Sequence, residues 1–173
     1  MARLLASIAF AAVLVIAAPG TAAAAPRPDG LWATVNICDT PRHPDQMGVR
    51  ASMPGNGRRQ TMFMRFRAQY FSRADKAWKH LGGSAISRWI YAGSARMRDR
   101  QAGFTFSIDP PENGGAFVLR GRVDFQWRER RRSKRTRKVR TVVARRARAN
   151  TKAGFDPARA DPPGFSAGLC EIR

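Results

Sequence analysis

Apolar and polar residues alternate over short segments of this chain, and this alternation constrains the fold more than any other feature. In the clearest segment, Met62, Met64 and Phe66 alternate with Arg65 and Arg67. A period of two places the two sets of side chains on opposite faces of a β-strand. The pattern predicts a strand with one apolar face, and the two arginines predict that its other face is solvated.

Similar segments follow one another along the chain. The other predicted strands cover residues 31–38, 47–53, 84–91, 103–108, 116–127 and 166–172. Turn signals such as the Pro-Gly-Asn-Gly of residues 54–57 separate them. The segment 31–38 alternates throughout and predicts a half-buried strand.

Two further segments are ambiguous in secondary structure. Residues 72–81 fit a short helical turn, on which Trp78 is expected to cap the core. Residues 137–146 fit a strand, and their valines also fit one face of a helix that Gly154 would end. We favour the strand, because the centre of this segment is β-branched.

Together these segments give seven or eight short strands and no reliable long helix. Antiparallel strands with one apolar face bury that face by packing sheet on sheet. The sequence therefore predicts an all-β fold, an antiparallel β-sandwich, with a β-barrel as the second choice. The predicted core consists of Met62, Met64, Phe66, Phe104, Phe106, Leu119, Val123, Phe125 and Trp127.

The N-terminus has the composition of a secretory signal peptide. Arg3 precedes the apolar residues 4–18, and the small residues up to Ala24 suit a signal peptidase. The apolar stretch is shorter than the roughly 20 residues of a membrane anchor. Cleavage after Ala24 is favoured, and cleavage after Ala25 is the alternative.

The predicted domain organisation follows from this cleavage. Residues 1–24 form a signal-peptide helix, residues 25–30 a short linker, and residues 31–173 a single β-sandwich domain with a basic hairpin at about 128–148. No later segment is long and apolar enough to span a membrane after cleavage. We expect the protein to be secreted and extracellular, or periplasmic if the cell has an outer membrane.

Two cysteines, Cys38 and Cys170, lie near the two ends of the predicted domain. An even number of cysteines in a chain bound for an oxidising compartment favours a disulfide. The bond would join the first predicted strand to the last. Two free thiols, or a bond between two copies of the chain, are the alternatives.

Three features of the C-terminal half carry a resemblance to a known fold. They are Phe-Gln-Trp-Arg at residues 125–128, the basic hairpin that follows, and the closing segment 161–170. With them, most of residues 31–172 resembles the immunoglobulin-like or fibronectin type III-like β-sandwich domains of secreted bacterial proteins. The resemblance implies a fold and no activity. It departs from antibody-type domains, because the 132 positions from Cys38 to Cys170 are too many for their core disulfide.

Basic residues greatly outnumber acidic ones. The chain has 32 Lys and Arg against 12 Asp and Glu, a net charge of +20, and cleavage after Ala24 would remove only Arg3. Codon bias can favour Arg over Lys, but it does not explain the scarcity of acids. A charge of this size attracts polyanions at low salt.

The basic residues are densest between residues 128 and 148, where Glu129 is the only acid. Such a cluster can neutralise several phosphates, sulfates or uronates, with an affinity that falls steeply with salt. No aromatic residue interrupts the cluster, so binding is expected to be electrostatic and independent of sequence. A solvated hairpin with no evolved partner is the alternative. The predicted polyanion site is Arg128, Arg130, Arg131, Arg132, Lys134, Arg135, Arg137, Lys138 and Arg140.

Catalytic patterns are weak. His43 and His80 are the two histidines, and their spacing does not predict that they meet at one phosphate. The carboxylates that flank turns or loops are Asp39, Asp45, Asp109 and Glu112. No pattern predicts a metal site or a cofactor. We therefore expect a non-enzymatic protein.

The expected function is that of a secreted interaction module. Its basic hairpin would bind an anionic polymer or a cell-surface polyanion such as a cell-wall polymer, and non-specific binding of nucleic acid is compatible with the same charge. A cationic, membrane-active defence protein is one alternative. A small extracellular hydrolase, either a nuclease or a glycosidase, is the other.

Overall fold

The computed structural model describes residues 30–112 and 114–173, and the predicted signal peptide lies outside the described residues. The described part contains nine strands and a 3-10 turn at Gly83–Ala85. The strands are β1 (Trp32–Thr40), β2 (His43–Pro54), β3 (Thr61–Ser72), β4 (Ala77–His80), β5 (Ile90–Ser94), β6 (Asp99–Ser107), β7 (Phe117–Arg132), β8 (Val139–Asn150) and β9 (Cys170–Ile172).

The strands form two antiparallel sheets. One has three strands in the order β1-β2-β6. The other has six: four follow the order β4-β3-β7-β8, while β5 pairs with β3 and β9 pairs with β7. The all-β, sandwich-like class predicted from the sequence is thus confirmed, with nine strands in the described residues where seven or eight were predicted.

The prediction of a helical turn at residues 72–81 is wrong. The chain instead turns back after β3, and β4 pairs with it from Gln69↔His80 to Ser72↔Ala77. The edge of β3 offers unpaired backbone groups, and satisfying them outweighs the weak helical periodicity of so short a segment. The next segment also differs from its prediction, because residues 83–85 form the 3-10 turn and β5 begins only at Ile90.

The alternating pattern identified the core correctly. Eight of the nine predicted core residues are buried, and Phe104 is the half-buried exception, with its ring 4.9 Å from that of Phe106. The three-stranded sheet supplies Val35, Met47, Val49, Ala51 and Met53 to the same core. The apolar faces of the two sheets therefore pack against each other.

Gly121 of β7 allows the two sheets to approach closely at one point. A Cβ atom on this residue would lie 2.7 Å from Cγ2 of Val49, which belongs to the other sheet. Six residues farther along the same strand, Trp127 is fully buried and donates a hydrogen bond from Nε1 to the carbonyl oxygen of Pro54, 3.2 Å away. The indole is thus packed without leaving its polar group unsatisfied.

Strand β1 is buried on both faces, and the prediction of a half-buried strand is wrong. The C-terminal segment before β9 covers its second face: the hydroxyl oxygens of Thr34 and Ser166 lie 2.8 Å apart, and Nδ2 of Asn36 donates a 2.8 Å hydrogen bond to the carbonyl oxygen of Arg159. Farther along, the ring of Phe155 stacks on that of Trp32 with a centroid distance of 5.0 Å. Residues distant in sequence therefore cover the face that alternation assigned to solvent.

The predicted disulfide between Cys38 and Cys170 is confirmed, with the two Cα atoms 5.4 Å apart. It joins β1 of the three-stranded sheet to β9 of the six-stranded sheet. The bond therefore links the two layers of the fold as well as the two ends of the domain.

Candidate functional site

Strands β7 and β8 form a long hairpin whose end extends past the rest of the sheet. β3 pairs with β7 only as far as Arg128, whereas β8 pairs with β7 as far as Arg132. Residues 129–142 therefore form a two-stranded ribbon and its turn, and its strands reach about 13 Å beyond β3. A backbone hydrogen bond of 2.9 Å from Ser133 to the carbonyl of Lys138 closes the turn. We call residues 129–142 the basic ribbon.

The basic ribbon carries eight of the nine predicted polyanion-binding residues, and all eight are exposed. They do not share one face. Arg130 is paired with Thr141, whereas the next residue, Arg131, is paired with Arg140, and neighbouring positions of a strand point to opposite faces. Positive charge therefore surrounds the ribbon on both faces and at its turn, where Lys134, Arg135, Arg137 and Lys138 lie.

Glu129, the acid within the ribbon, is already engaged. Gln60 donates a 2.8 Å hydrogen bond from Nε2 to one carboxylate oxygen, and Nε of Arg131 donates to the other. The pKa of Glu129 is lowered mainly by the hydrogen bond from Gln60 and, to a smaller extent, by that from Arg131. One negative charge leaves a large excess of positive charge on the ribbon.

Arg128, the ninth predicted residue, has a different environment. It is half-buried at the base of the ribbon, with its guanidinium carbon 4.1 Å from the ring centroid of Phe63 and 4.9 Å from that of Trp89. Its Nε donates a 2.8 Å hydrogen bond to Gln126. Burial, and then the positive charge of Arg65, lower the pKa of Arg128. This residue belongs to the outer face of the six-stranded sheet.

That outer face is built around Asp124, whose exposure is only 8%. Its carboxylate oxygens lie 3.2 Å from Nη2 of Arg65, 2.9 Å from Nη2 of Arg67 and 3.0 Å from Nε of Arg148. The prediction that Arg65 and Arg67 face solvent is therefore wrong. Both side chains are partly buried, and they form ion pairs with Asp124 on a face that the sequence predicted to be solvated.

Burial alone would raise the pKa of Asp124. The hydrogen bond from Arg148, the charge of Arg67 and the hydrogen bond from Arg65 act in the opposite direction and together outweigh burial, so the pKa lies below its usual value. Asp124 is thus ionised at neutral pH and holds three guanidinium groups in place.

Asp124→Asn is expected to lower the free energy of unfolding at neutral pH by about 2 kcal/mol, less than for a fully buried pair because Arg148 is largely solvated. In the parent protein, ionised Asp124 stabilises the fold fully above about pH 4, the ordinary pKa of Asp. This stabilisation is lost as the pH falls through the pKa of Asp124 in the folded protein, which is lower. Urea unfolding of both proteins at neutral and acidic pH should show the difference narrowing below about pH 4.

Asp109→Asn, at an exposed loop position, is the matched control for this substitution. It should leave the free energy of unfolding within about 0.5 kcal/mol of the parent value. A difference between Asp124→Asn and the parent that stays constant from neutral to acidic pH would contradict the role given to the carboxylate.

A cavity of about 420 Å³ opens beside this ion-pair cluster. Its lining includes four arginines and Trp89, and Asp124 is the one carboxylate in it. The arginines are Arg65, Arg67, Arg146 and Arg148. The cavity therefore carries an excess of positive charge beside an aromatic ring.

Aromatic side chains on this face were missed by the sequence analysis. Trp89 lies 4.6 Å from the guanidinium carbon of Arg65, and Tyr91, which is 60% exposed, contacts the edge of Phe63. They precede the basic cluster by more than 30 positions, so only the pairing of β5 with β3 and of β3 with β7 brings them to it. The one available signal was that Phe63 alternates with Met62 and Met64 on β3, which indicates a side chain on the face opposite the core.

Trp78 also belongs to the outer face, and the prediction that it caps the core is wrong. On β4 it stacks edge-on against Phe71 at 5.4 Å, and the guanidinium carbon of Arg120 lies 4.3 Å from its ring. Burial, and then the charge of Arg122, lower the pKa of Arg120. A second cluster of arginine and aromatic side chains thus lies on the sheet, at the opposite end of β3 from Phe63.

The histidines lie in different sheets. His43 begins β2 of the three-stranded sheet, 3.9 Å from Asp161, whereas His80 ends β4 of the six-stranded sheet. The pKa of His80 is lowered mainly by burial and, to a smaller extent, by the positive charges of Arg67 and Arg122. In the described ranges, no group of three or more His, Cys, Asp or Glu side chains is arranged to hold a metal ion.

No helix within residues 30–112 or 114–173 has the length and apolar character that a membrane crossing requires. No protein-family model, curated protein or solved structure matches the chain.

Proposed function

We propose that this protein is an exported, non-enzymatic β-sandwich module that binds an anionic polymer or a cell-surface polyanion through its basic ribbon. The observation that carries the proposal is the exposure of eight Arg and Lys side chains on both faces and the turn of the ribbon. Its acid, Glu129, is already paired. A ribbon of this kind can contact successive phosphates, sulfates or uronates of a polymer and release their counterions.

The proposed site is an arm rather than a pocket. Because the ribbon projects beyond β3, a polymer can reach it from either face without being bent around the domain. Long-range attraction by the whole basic surface would bring the polymer to this end of the molecule. The ribbon would then supply the short-range contacts.

Export is part of the proposal. It is supported by the charge and apolar pattern of residues 1–24. The disulfide is compatible with an oxidising compartment outside the cytoplasm. We place the mature protein in the extracellular space, or in the periplasm of a cell with an outer membrane.

We also propose that the sandwich is immunoglobulin-like. In support, the order β1-β2-β6 corresponds to strands A-B-E of immunoglobulin domains, and β3-β7-β8 corresponds to C-F-G, with β4 in the place of C′. The chain departs from that pattern in its disulfide, which joins β1 to β9 rather than B to F. The fold itself implies no activity.

A variant of the ribbon tests the proposed function. Serine at Arg130, Arg131, Arg132, Lys134 and Arg135 should weaken binding to heparin and to duplex DNA on the order of 100-fold at moderate salt, because up to five contacts with anionic groups are lost. The fold should persist, since these side chains are exposed. Fluorescence anisotropy with labelled polymers measures the affinity, and circular dichroism checks the fold.

The matched control removes the same charge elsewhere. Serine replaces the exposed residues Arg59, Arg73, Arg88, Arg96 and Arg98. This control should lose less than about tenfold in affinity, through the general reduction of charge. Equal losses in the two variants would show that the attraction is spread over the whole surface, which would contradict a site on the ribbon.

A further inference from the structure

Two clusters of arginine and aromatic side chains mark the ends of the outer face of the six-stranded sheet. One contains Phe63, Trp89 and Tyr91 with Arg128, and the other is centred on Trp78. Phe63 and Phe71, which belong to one cluster each, are eight residues apart on β3, or about 26 Å along the strand.

Positive charge fills the space between the clusters. Arg65 and Arg67 follow Phe63 on β3, and the neighbouring positions on β7 include Arg122, which is paired with Arg67. On β8, Arg148 is paired with Asp124 and Arg146 with Gln126. Asp124 is one carboxylate among these arginines, so the face keeps a net positive charge after its three ion pairs are counted.

The face also offers stacking surfaces. Tyr91 is 60% exposed, and Trp89 is partly exposed and lines the 420 Å³ cavity. The guanidinium carbons of Arg65 and Arg128 both lie within 5 Å of the Trp89 ring centroid. Flat bases stack on aromatic rings and on guanidinium planes alike, while arginine pairs with phosphate.

We propose that the anionic polymer is single-stranded nucleic acid, bound along this face with bases on the Tyr91 ring and on the guanidinium planes that cover Trp89, and with phosphates on the arginines between the two clusters. This inference rests on the proposed function and names its substrate class. A positive track with aromatic platforms is the arrangement that sequence-independent single-strand binding requires. A duplex buries its base faces, and sulfated or uronate glycans have no flat aromatic rings, so both would gain less from the stacking surfaces than unpaired bases do.

The basic ribbon is continuous with this face. Arg128 stands at the base of the ribbon and stacks on Phe63 and Trp89 of the first cluster. A single strand of nucleic acid that lies along this face can therefore continue onto the basic ribbon without a break in positive charge. About four nucleotides would span the distance between the clusters, the lower end of the range for single-strand sites.

The test compares polymers of similar charge with the purified protein. The probes are oligothymidylate of about 15 nucleotides, duplex DNA, heparin and inorganic polyphosphate, which has phosphates but no rings. At near-physiological salt, oligothymidylate should bind at least about tenfold more tightly than polyphosphate or heparin. It should also quench tryptophan fluorescence, because Trp78 and Trp89 lie on the proposed face.

Variants separate stacking from charge. Tyr91→Ala should weaken oligothymidylate binding by about tenfold and leave polyphosphate binding unchanged. Trp89→Ala should weaken binding of both polymers, because the Trp89 ring also packs against the guanidinium groups of Arg65 and Arg128. Tyr91→Phe keeps the ring and should retain most of the affinity. Met97→Ala, at another exposed apolar position, is the matched control and should bind like the parent.

The outcomes distinguish this inference from the proposed function. If all polymers bind equally well and Tyr91→Ala has no effect, the nucleic-acid inference is overturned while polyanion binding stands. If heparin binds most tightly and depends on Tyr91 and Trp89, the ligand is a glycan and the inference is again overturned. If none of the four polymers binds, the proposed function falls with it.

Discussion

Replacing both cysteines of the Cys38–Cys170 disulfide with serine should lower the free energy of unfolding by about 5 kcal/mol, the largest single effect expected in this protein. The bond closes a loop of 132 positions and joins β1 of one sheet to β9 of the other. Without it, the unfolded chain gains the entropy of a very large loop. The measurement is equilibrium unfolding in urea of the parent and the double variant.

Reduction of the parent protein provides the internal control. Reduced parent and double variant should unfold at the same urea concentration, because each lacks only the covalent link. A loss below about 1.5 kcal/mol for both would mean that the unfolded chain keeps its ends together without the bond. That result would contradict the role of the disulfide as the link between the two sheets.

Phe125→Ala should cost roughly 3–5 kcal/mol, the second-largest expected effect, because it leaves a cavity in the core between the sheets. Phe125 is fully buried on β7, the strand that pairs with β3, β8 and β9. Neighbouring core residues cannot collapse into the space without moving these pairings. The loss is measured as a fall in the urea midpoint at unchanged slope.

Phe71→Ala is the matched control for Phe125→Ala. Phe71 is 38% exposed on the outer face, where its ring contacts Trp78. Its loss should cost about 1 kcal/mol, mainly the edge-to-face contact and partial burial. Equal costs at the two positions would show that the core does not lie between the sheets at Phe125.

The sequence was sufficient for the parts of the fold that depend on local alternation. The period of two in β3 and β7 identified the buried residues, because each strand buries one face against the other sheet. The disulfide followed from two cysteines and a predicted export signal. Both inferences need only the order of residues along the chain.

Features that depend on distant segments were not predictable in this way. Strand β1 alternates as a half-buried strand does, yet the segment that contains Phe155 and Ser166 covers its second face. Similarly, β4 exists because the edge of β3 is available for pairing, although its own residues fit a helical turn. In both cases tertiary contacts supply the free energy that the local pattern lacks.

The positive charge of the candidate site could be predicted from the sequence, but its contacts between arginine and aromatic side chains could not. The basic residues of the ribbon are contiguous in sequence, so composition identified them. Trp78 lies on β4 and Trp89 lies just before β5, and they contact Arg120, Arg128 and Arg65 only through the pairing of strands. In the same way, Tyr91 of β5 contacts Phe63 of β3. The ion pairs of Asp124 with arginines of β3 and β8 depend on register in the same way.

The most direct test of the central claim, that the basic ribbon binds an anionic polymer, is the salt dependence of affinity in the parent and the five-serine ribbon variant. The logarithm of the association constant for heparin or single-stranded DNA is measured against the logarithm of the salt concentration. The parent should give a slope of about −5 or steeper, and the variant a slope shallower by up to about 5 units, since each lost contact removes about 1 unit. Two parallel lines would contradict the claim, because they would show that the ribbon makes none of the contacts that hold the polymer.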